Sequence, residues 1–364
     1  MAATTELRKR AKRKPRTPTV RLRRSDTGGP GILRRRAGRG FVYVDADGER
    51  VEDTEVLSRI HDLVIPPAWK DVWICPYPGG HIQATGFDAR GRKQYLYHRK
   101  WRERRDQEKF DEMLRFARAL PRMRERVERD LEGADDDDLG RDRVLAAAVR
   151  LLDRGFFRIG SEDYAVENET YGLATMRKEH VSLVNGFVVF DYPAKHGKRH
   201  IRHVVDPEVA GVVERLKRRR GGIDELLAYR DGRTWVDVKS ADINDYIKAA
   251  TGENFSAKDF RTWGATVLAA VGLAVSPARD TKTARKRAVT RVIKEVAHHL
   301  GNTPAVARAS YIDPRVIDRY LDGLTIRVDA IDIGETAIQG DVEAAVLDLI
   351  EDYRGSELVA KRAA

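Results

Sequence analysis

The chain has 364 residues, 41% hydrophobic and 34% charged, which is enough apolar content for real cores and a length for two, at most three, domains. A single cysteine, Cys75, excludes a disulfide framework and a cysteine-based zinc site, and no run of 18 apolar residues is present to cross a membrane. The net charge of +11 is uneven: residues 1–40 carry 14 Lys and Arg against two acids, +12, which leaves −1 for the other 324.

Residues 1–30 are basic, rich in Pro, Thr and Gly, and without periodicity, the composition of a flexible arm. Such an arm binds polyanions by counterion release. Pro15, Pro18 and Pro30 interrupt any amphipathic transit helix, and the apolar core of a secretory signal is missing. From about residue 40 the pattern is β. Phe41–Val44 runs into the turn Asp45-Ala46-Asp47-Gly48, Val72–Cys75 is a second strand, and His81–Phe87 and Lys93–His98 flank the turn Asp88-Ala89-Arg90-Gly91. Trp101–Glu132 turns to a charged helical composition, with Pro121 as a break. Asp135–Asp138 reads as a solvated acidic loop. From 139 onward helical patterns dominate, interrupted by β at 181–205, and no internal repeat is visible.

Individual polar residues stand out in the second half. Val144–Leu152 reads as a buried helix stopped by Gly155, and Phe156-Phe157 lead into the core. Arg158 is then held at a core edge, where Glu162 or Glu167 would be its ordinary structural partner. Gly186–Tyr192 and His200–Val205 flank Pro193–Arg199, a hairpin whose tip of movable cations, Lys195 among them, suits a phosphate backbone. Ser256-Ala257-Lys258-Asp259 has the capping-box form, and Phe260, Trp263, Gly264, Val267 and Val271 share one helical face. Arg261 lies in that first turn, beside the apolar face, where a cation opposes the macrodipole and calls for an anion, a phosphate or Asp259. Val289, Val292, Ile293, Val296 and Leu300 form another apolar stripe, Gly301 stops it, and Thr303-Pro304 starts the next helix. Asn302 therefore lies in a tight interhelical turn. Tyr311 falls at the following junction, with room for its hydroxyl to leave the body, and Asp313-Pro314 caps a helix through Leu321. Residues 336–353 read as a terminal helix.

Taken together, these residues resemble the type IB DNA topoisomerases, in the compact poxviral and bacterial branch. The resemblance runs through Lys93-Gln94-Tyr95-Leu96-Tyr97, then Phe156-Phe157-Arg158-Ile159-Gly160, then Glu167-Asn168-Glu169-Thr170-Tyr171-Gly172. Lys195 in its hairpin follows, then Lys258-Asp259-Phe260-Arg261-Thr262-Trp263-Gly264, Gly301-Asn302-Thr303-Pro304 and Ser310-Tyr311-Ile312-Asp313-Pro314. It covers roughly residues 40–330 in chain order.

The resemblance implies an α+β protein: a β-rich DNA-binding lobe over 31–105 and a mostly helical catalytic lobe over 106–364, forming a C-shaped clamp around duplex DNA. It implies Tyr311 as nucleophile, Arg158 and Arg261 as phosphate clamps, and Lys195 as general acid, with Lys93, Gln94, Tyr95 and Tyr97 on the DNA. Asn302 stands where poxviral members carry His and bacterial relatives can carry Asn, which favours a bacterial protein; His298 and His299 come too early to fill that place. The implied activity is relaxation of positive and negative supercoils through a 3′-phosphotyrosyl intermediate, with no metal, ATP or other cofactor. It also implies a monomer acting on supercoiled duplex in the cytoplasm, at the nucleoid. The sequence agrees in having no GxxxxGK[ST], GxGxxG or HExxH motif. A tyrosine recombinase shares the Arg–Lys–Arg–Tyr chemistry, but usually with HxxR where this chain has Lys258 before Arg261, and with a helical N-terminal lobe. A non-catalytic DNA-binding protein would explain the basic arm but not the four residues in order; an RNA-binding protein would explain the arm alone.

Overall fold

A computed structural model describes residues 21–132, 139–162, 165, 169–185, 187–277, 281–330, 339–353 and 355–361. Most of the expected arm, the acidic run Asp135–Asp138, Glu167, Asn168, Gly186 and the start of the expected terminal helix lie outside the described residues. The chain divides into two compact units, residues 1–108 and 109–364.

The first unit is an antiparallel sheet of Ile32–Ala37 (β1), Gly40–Val44 (β2), Lys70–Ile74 (β3), Ile82–Phe87 (β4) and Lys93–Tyr97 (β5), ordered β2-β1-β3-β4-β5. Its helix, Thr54–Asp62 (α1), is capped by Asp53, whose carboxylate accepts from the amides of Glu55 and Val56. Ile32, Ile60, Val72, Ile74 and Ala84 form the core. β1 has no apolar alternation to announce it, because Arg34, Arg35 and Arg36 occupy its centre. Arg34 is tolerated there because its guanidinium donates to the carbonyls of Ile65 (3.2 Å), Pro66 (3.1 Å) and Trp69 (2.7 Å). The expected arm reached residue 30, yet residues 23–29 lie bonded to this sheet. Arg23 bridges to Gly80, Ser25 exchanges hydrogen bonds with Ile82, and the Trp73 indole donates to the Gly29 carbonyl.

A 34-residue helix, Arg99–Glu132 (α2), carries the chain into the second unit. Pro121 does not break it, contrary to expectation. Proline removes one ladder bond, but the buried stripe Phe116, Leu120, Met123 and Val127 passes the proline on both sides, and that packing keeps the helix whole.

The second unit follows with Arg141–Gly155 (α3), the three-stranded antiparallel sheet Val181–Val184 (β6), Phe187–Ala194 (β7) and Lys198–Val204 (β8), and Pro207–Arg218 (α4). The hairpin Ala228–Asp231 (β9) and Thr234–Asp237 (β10) leads into Ser240–Thr251 (α5), Ala257–Ala274 (α6), Lys282–Leu300 (α7), Pro304–Ser310 (α8) and Pro314–Leu321 (α9). Leu324–Ile326 (β11), Asp341–Glu351 (α10) and Val359–Lys361 (β12) complete it, β12 pairing with β11. The ten helices and small antiparallel sheets of the described residues make the protein α+β, as expected. No helix among them is long and apolar enough to cross a membrane.

α3 and α6 are the centre of this unit. α6 is buried over most of its surface and is apolar on nearly every face, whereas α3 buries the run Val144–Val149 with Leu151 and Leu152 and turns Arg150, Asp153 and Arg154 toward ion-pair partners. Trp263 of α6 donates its indole N–H to Glu343 of α10 at 2.7 Å, and Arg124 of α2 joins Glu343 to Asp153 of α3. That buried network ties four helices together and fixes how α6 sits.

Candidate active site

α3 ends at Gly155, and the chain reverses through Phe156, whose φ of 56° lies in the left-handed region. A phenylalanine there is strained by about 1–2 kcal/mol. Two contacts hold it. Its ring covers Gly264, where a Cβ would fall 2.6 Å from the ring, and its carbonyl accepts from the Arg261 guanidinium. Phe157 then drops into the core against Phe190, which brings Arg158 to the rim. The backbone of Arg158 is fixed from a second segment: its carbonyl accepts from the Leu173 amide at 2.8 Å, and that of Ile159 from Ala174 at 2.7 Å. Gly160 and Gly172 permit this approach, since a Cβ on Gly172 would lie 2.3 Å from the Gly160 nitrogen. The Phe156–Gly160 and Tyr171–Gly172 motifs are thus two sides of one backbone contact.

Arg158 does not pair with Glu162, which instead accepts from the amide and hydroxyl of Ser240. Its Nη2 donates to the Gly301 carbonyl (3.0 Å) and the Asn302 Oδ1 (2.7 Å).

Arg261 is inside α6's packed surface rather than beside it, with 5% exposure. Asp259 is not its partner, because the Asp259 carboxylate caps the helix by accepting from the Ser256 amide (2.8 Å) and hydroxyl (3.0 Å). The Arg261 fork donates to two carbonyls, those of Phe156 and Leu300. Burial, and then the nearby Arg158 charge, push its pKa down to about 10, so it remains a cation at neutral pH. Its guanidinium carbon is 5.5 Å from the centre of the Tyr311 ring. Its partners are the two carbonyl dipoles and the Tyr311 side chain, with which it also hydrogen-bonds, and a buried cation without a carboxylate among these partners favours an anion nearby.

The turn after α7 supplies the acceptors for both arginines. Gly301 ends the helix at φ 63°, and the amide of Asn302 returns to the Ala297 carbonyl at 2.9 Å. With Asn302 Oδ1 taken by Arg158, its Nδ2 is enclosed and without a hydrogen-bond partner among the described residues. An enclosed donor of this kind is complementary to an oxyanion.

Tyr311 caps the short α8, whose N-terminus Thr303 caps through its hydroxyl. The Tyr311 carbonyl accepts from Thr266, and the same hydroxyl accepts from the Asp313 amide at 3.1 Å. The fully buried Asp313 carboxylate caps α9 and holds Arg315, which reaches on to Asp111 and the Phe110 carbonyl. Lys109 donates to the Ser310 carbonyl at 3.3 Å. The phenol is therefore half-buried on a clamped backbone.

Lys195 is not part of this cluster. β7 and β8 run further than expected, so the tip of their hairpin is only Lys195–Gly197. Lys195 is exposed there and makes no hydrogen bond or ion pair with another described residue. Arg199, expected as a movable cation, is forked onto Asp191. The strand that rises from the tip brings two residues that sequence reasoning did not single out. His200 and Arg202 alternate on its inner face, and Arg202 donates to the His299 carbonyl at the end of α7. They line a cavity of about 420 Å³ with Lys198, His298, His299 and Asn302. The signal was present as period-two alternation ending on the buried Val204, but basic residues masked it.

In the first unit, Lys93, Tyr95 and Tyr97 share the exposed face of β5. The two tyrosine rings stack at 6.1 Å, and the Lys93 ammonium is 5.8 Å from Tyr95. Gln94 faces the other way and donates to Asp88 at 3.0 Å.

The eukaryotic DNA topoisomerase I catalytic core family matches residues 98–327, and the bacterial DNA topoisomerase IB N-terminal domain matches residues 40–88. DNA topoisomerase 1B of Acanthamoeba polyphaga mimivirus is 30% identical over 298 residues, covering 80% of this chain and 87% of the viral protein. DNA topoisomerase 1 of Rabbit fibroma virus is 24% identical, covering 77% and 89%, and DNA topoisomerase 1B of vaccinia virus (strain Copenhagen) is 21% identical, covering 75% and 82%. Two arginines, an amide donor and a phenol brought to one place by residues 156–311 thus fall within the stretch that matches the catalytic core. The chain belongs to the type IB DNA topoisomerases, a family of DNA-acting isomerases, with an N-terminal unit of the bacterial kind.

Proposed function

We propose that the protein relaxes positive and negative supercoils by cutting and resealing one strand of duplex DNA, as a monomer at the nucleoid, without ATP or metal. The observation that carries this is the convergence of Arg158, Arg261 and Asn302 beside Tyr311. Tyr311 gives its phenolic proton to solvent water, its oxygen attacks a backbone phosphorus in line, a phosphotyrosyl bond to the 3′ side forms, and the 5′-oxygen leaves. One phosphodiester replaces another, so the reverse attack by the 5′-hydroxyl reseals the strand with no external energy source. The transition state gathers negative charge on its non-bridging oxygens. Two guanidiniums held by carbonyl acceptors and the enclosed Asn302 amide meet that charge without rearranging. Lys195 protonates the leaving oxygen after the hairpin tip closes on DNA, a movement its exposed and unpaired position allows. Lys93, Tyr95 and Tyr97 contact the duplex from the first unit, with Gln94 supporting their strand through Asp88.

The test is relaxation of positively and negatively supercoiled plasmid in EDTA without ATP, by wild type and Tyr311→Phe. Wild type relaxes both, and Tyr311→Phe binds DNA but leaves it supercoiled and forms no covalent adduct. Relaxation by the variant would overturn the nucleophile; joining of plasmids rather than relaxation would make the protein a recombinase.

A further inference from the structure

His200 sits against the turn that organises the site. Its ring packs over Gly301 so closely that a Cβ at 301 would lie 2.2 Å from Cε1 and 2.4 Å from Nε2. Tyr192, its partner across β7 and β8, lies beside it, with ring centres 6.0 Å apart. The stretch beneath it, Leu300–Asn302, supplies acceptors to both arginines: the Leu300 carbonyl to Arg261, the Gly301 carbonyl and Asn302 side chain to Arg158. The charged groups that act on the ring are all cations: Arg202 and Lys198 on its own strand, Arg158 from the loop after α3, and Arg261 from α6. Arg199, on the same strand, lines the cavity but is paired with Asp191. His298 and His299 of α7 complete the cavity wall, and Tyr192 is held neutral, its pKa raised by burial.

We propose that His200 is a positioning residue of the strand-transfer site: its uncharged ring seats the Leu300–Asn302 turn, and through it Arg158 and Asn302, for the phosphate. This rests on the strand-transfer reading above. The ring needs to be neutral for this role. An imidazolium would add a further cation to a group of four, pushing on Arg158 and Arg261 across a turn that has no slack. In the protein alone, burial and then Arg202, Arg158, Arg261 and Lys198 hold the imidazole pKa down at about 4. A bound phosphate offsets those cations and moves it back toward the ordinary value of about 6.5. Cleavage therefore has an acid limb between these two values, owed to His200.

The experiment is single-turnover cleavage of a linear duplex by wild type, His200→Ala and His200→Phe between about pH 4.5 and 8, with DNA affinity measured in a Tyr311→Phe background. His200→Ala is expected to lose roughly 10- to 100-fold in cleavage rate at every pH, with affinity within about threefold. His200→Phe fills the same space and cannot titrate. It is expected to keep the rate within about fivefold at pH 8 and to lose the acid limb. Three results overturn the proposal: His200→Ala cleaving like wild type, His200→Phe keeping the acid limb, or a folded, DNA-binding His200→Phe as slow as His200→Ala, which would make an imidazole nitrogen itself the need. Wild type failing to cleave would instead overturn the strand-transfer reading, so the two failures are distinct.

Discussion

Arg261 shows how one residue can be both structure and chemistry. Its fork joins the end of α3 to the end of α7 through the Phe156 and Leu300 carbonyls, and the same guanidinium lies over the Tyr311 ring. A lysine keeps the charge but presents one point where two carbonyls need two donors. Arg261→Lys is expected to leave DNA binding nearly intact and to lower single-turnover cleavage by about 10²–10³-fold, the scale of removing one preorganised donor from a transition state. A loss under about tenfold would mean that charge alone suffices. Asn302 makes the complementary point. It cannot titrate, and its orientation is settled by Arg158 at Oδ1, which leaves Nδ2 as the donor.

At the scale of elements, the site is an assembly of ends. The C-terminus of α3, the first turn of α6, the C-terminus of α7 and the junction of α8 with α9 each deliver one group. The C-terminal ends of helices leave carbonyls unpaired, so those of α3 and α7 supply the acceptors that the two arginines need. The joint most exposed to a single change is Gly160 against Gly172, where backbone meets backbone. Gly172→Ala adds a methyl group 2.3 Å from the Gly160 nitrogen, and no side chain is there to yield. It is expected to destabilise the protein by about 1–3 kcal/mol in urea unfolding and to slow cleavage by displacing Arg158. A variant with unchanged stability and rate would show that the Arg158 loop is held elsewhere. Residues 23–29 form a strap bonded to the first sheet. Its Ser25 and Gly29 contacts use backbone and hydroxyl groups, which composition does not weigh.

For the whole molecule, charge is concentrated in a terminus while the body is close to neutral. Residues 1–20 hold seven Lys and Arg against one acid. Residues 23–29 belong to the folded sheet, so the informative truncation ends at residue 20 and keeps the strap. Its removal is expected to leave unfolding unchanged and to flatten the plot of log affinity against log salt, by at most about 6 units if all seven cations meet phosphates. An unchanged slope would mean that the arm does not touch DNA.

By itself the sequence determined a great deal here. Cap residues and glycines are local signals, so Gly301, Thr303-Pro304 and Asp313-Pro314 placed the turn of Asn302 and the junction of Tyr311 correctly. The alternation through Lys93, Tyr95 and Tyr97 gave their shared exposed face, because a strand's period is local too. Only the tertiary structure decided the rest. Whether Pro121 breaks a helix depended on what packed along α2, and whether Arg34 could sit within a strand depended on carbonyls some thirty residues away. Arg158 found its partners across 143 and 144 residues, and His200 met Gly301 across a hundred. Partners that far apart along the chain leave no periodic trace, since only folding makes them neighbours.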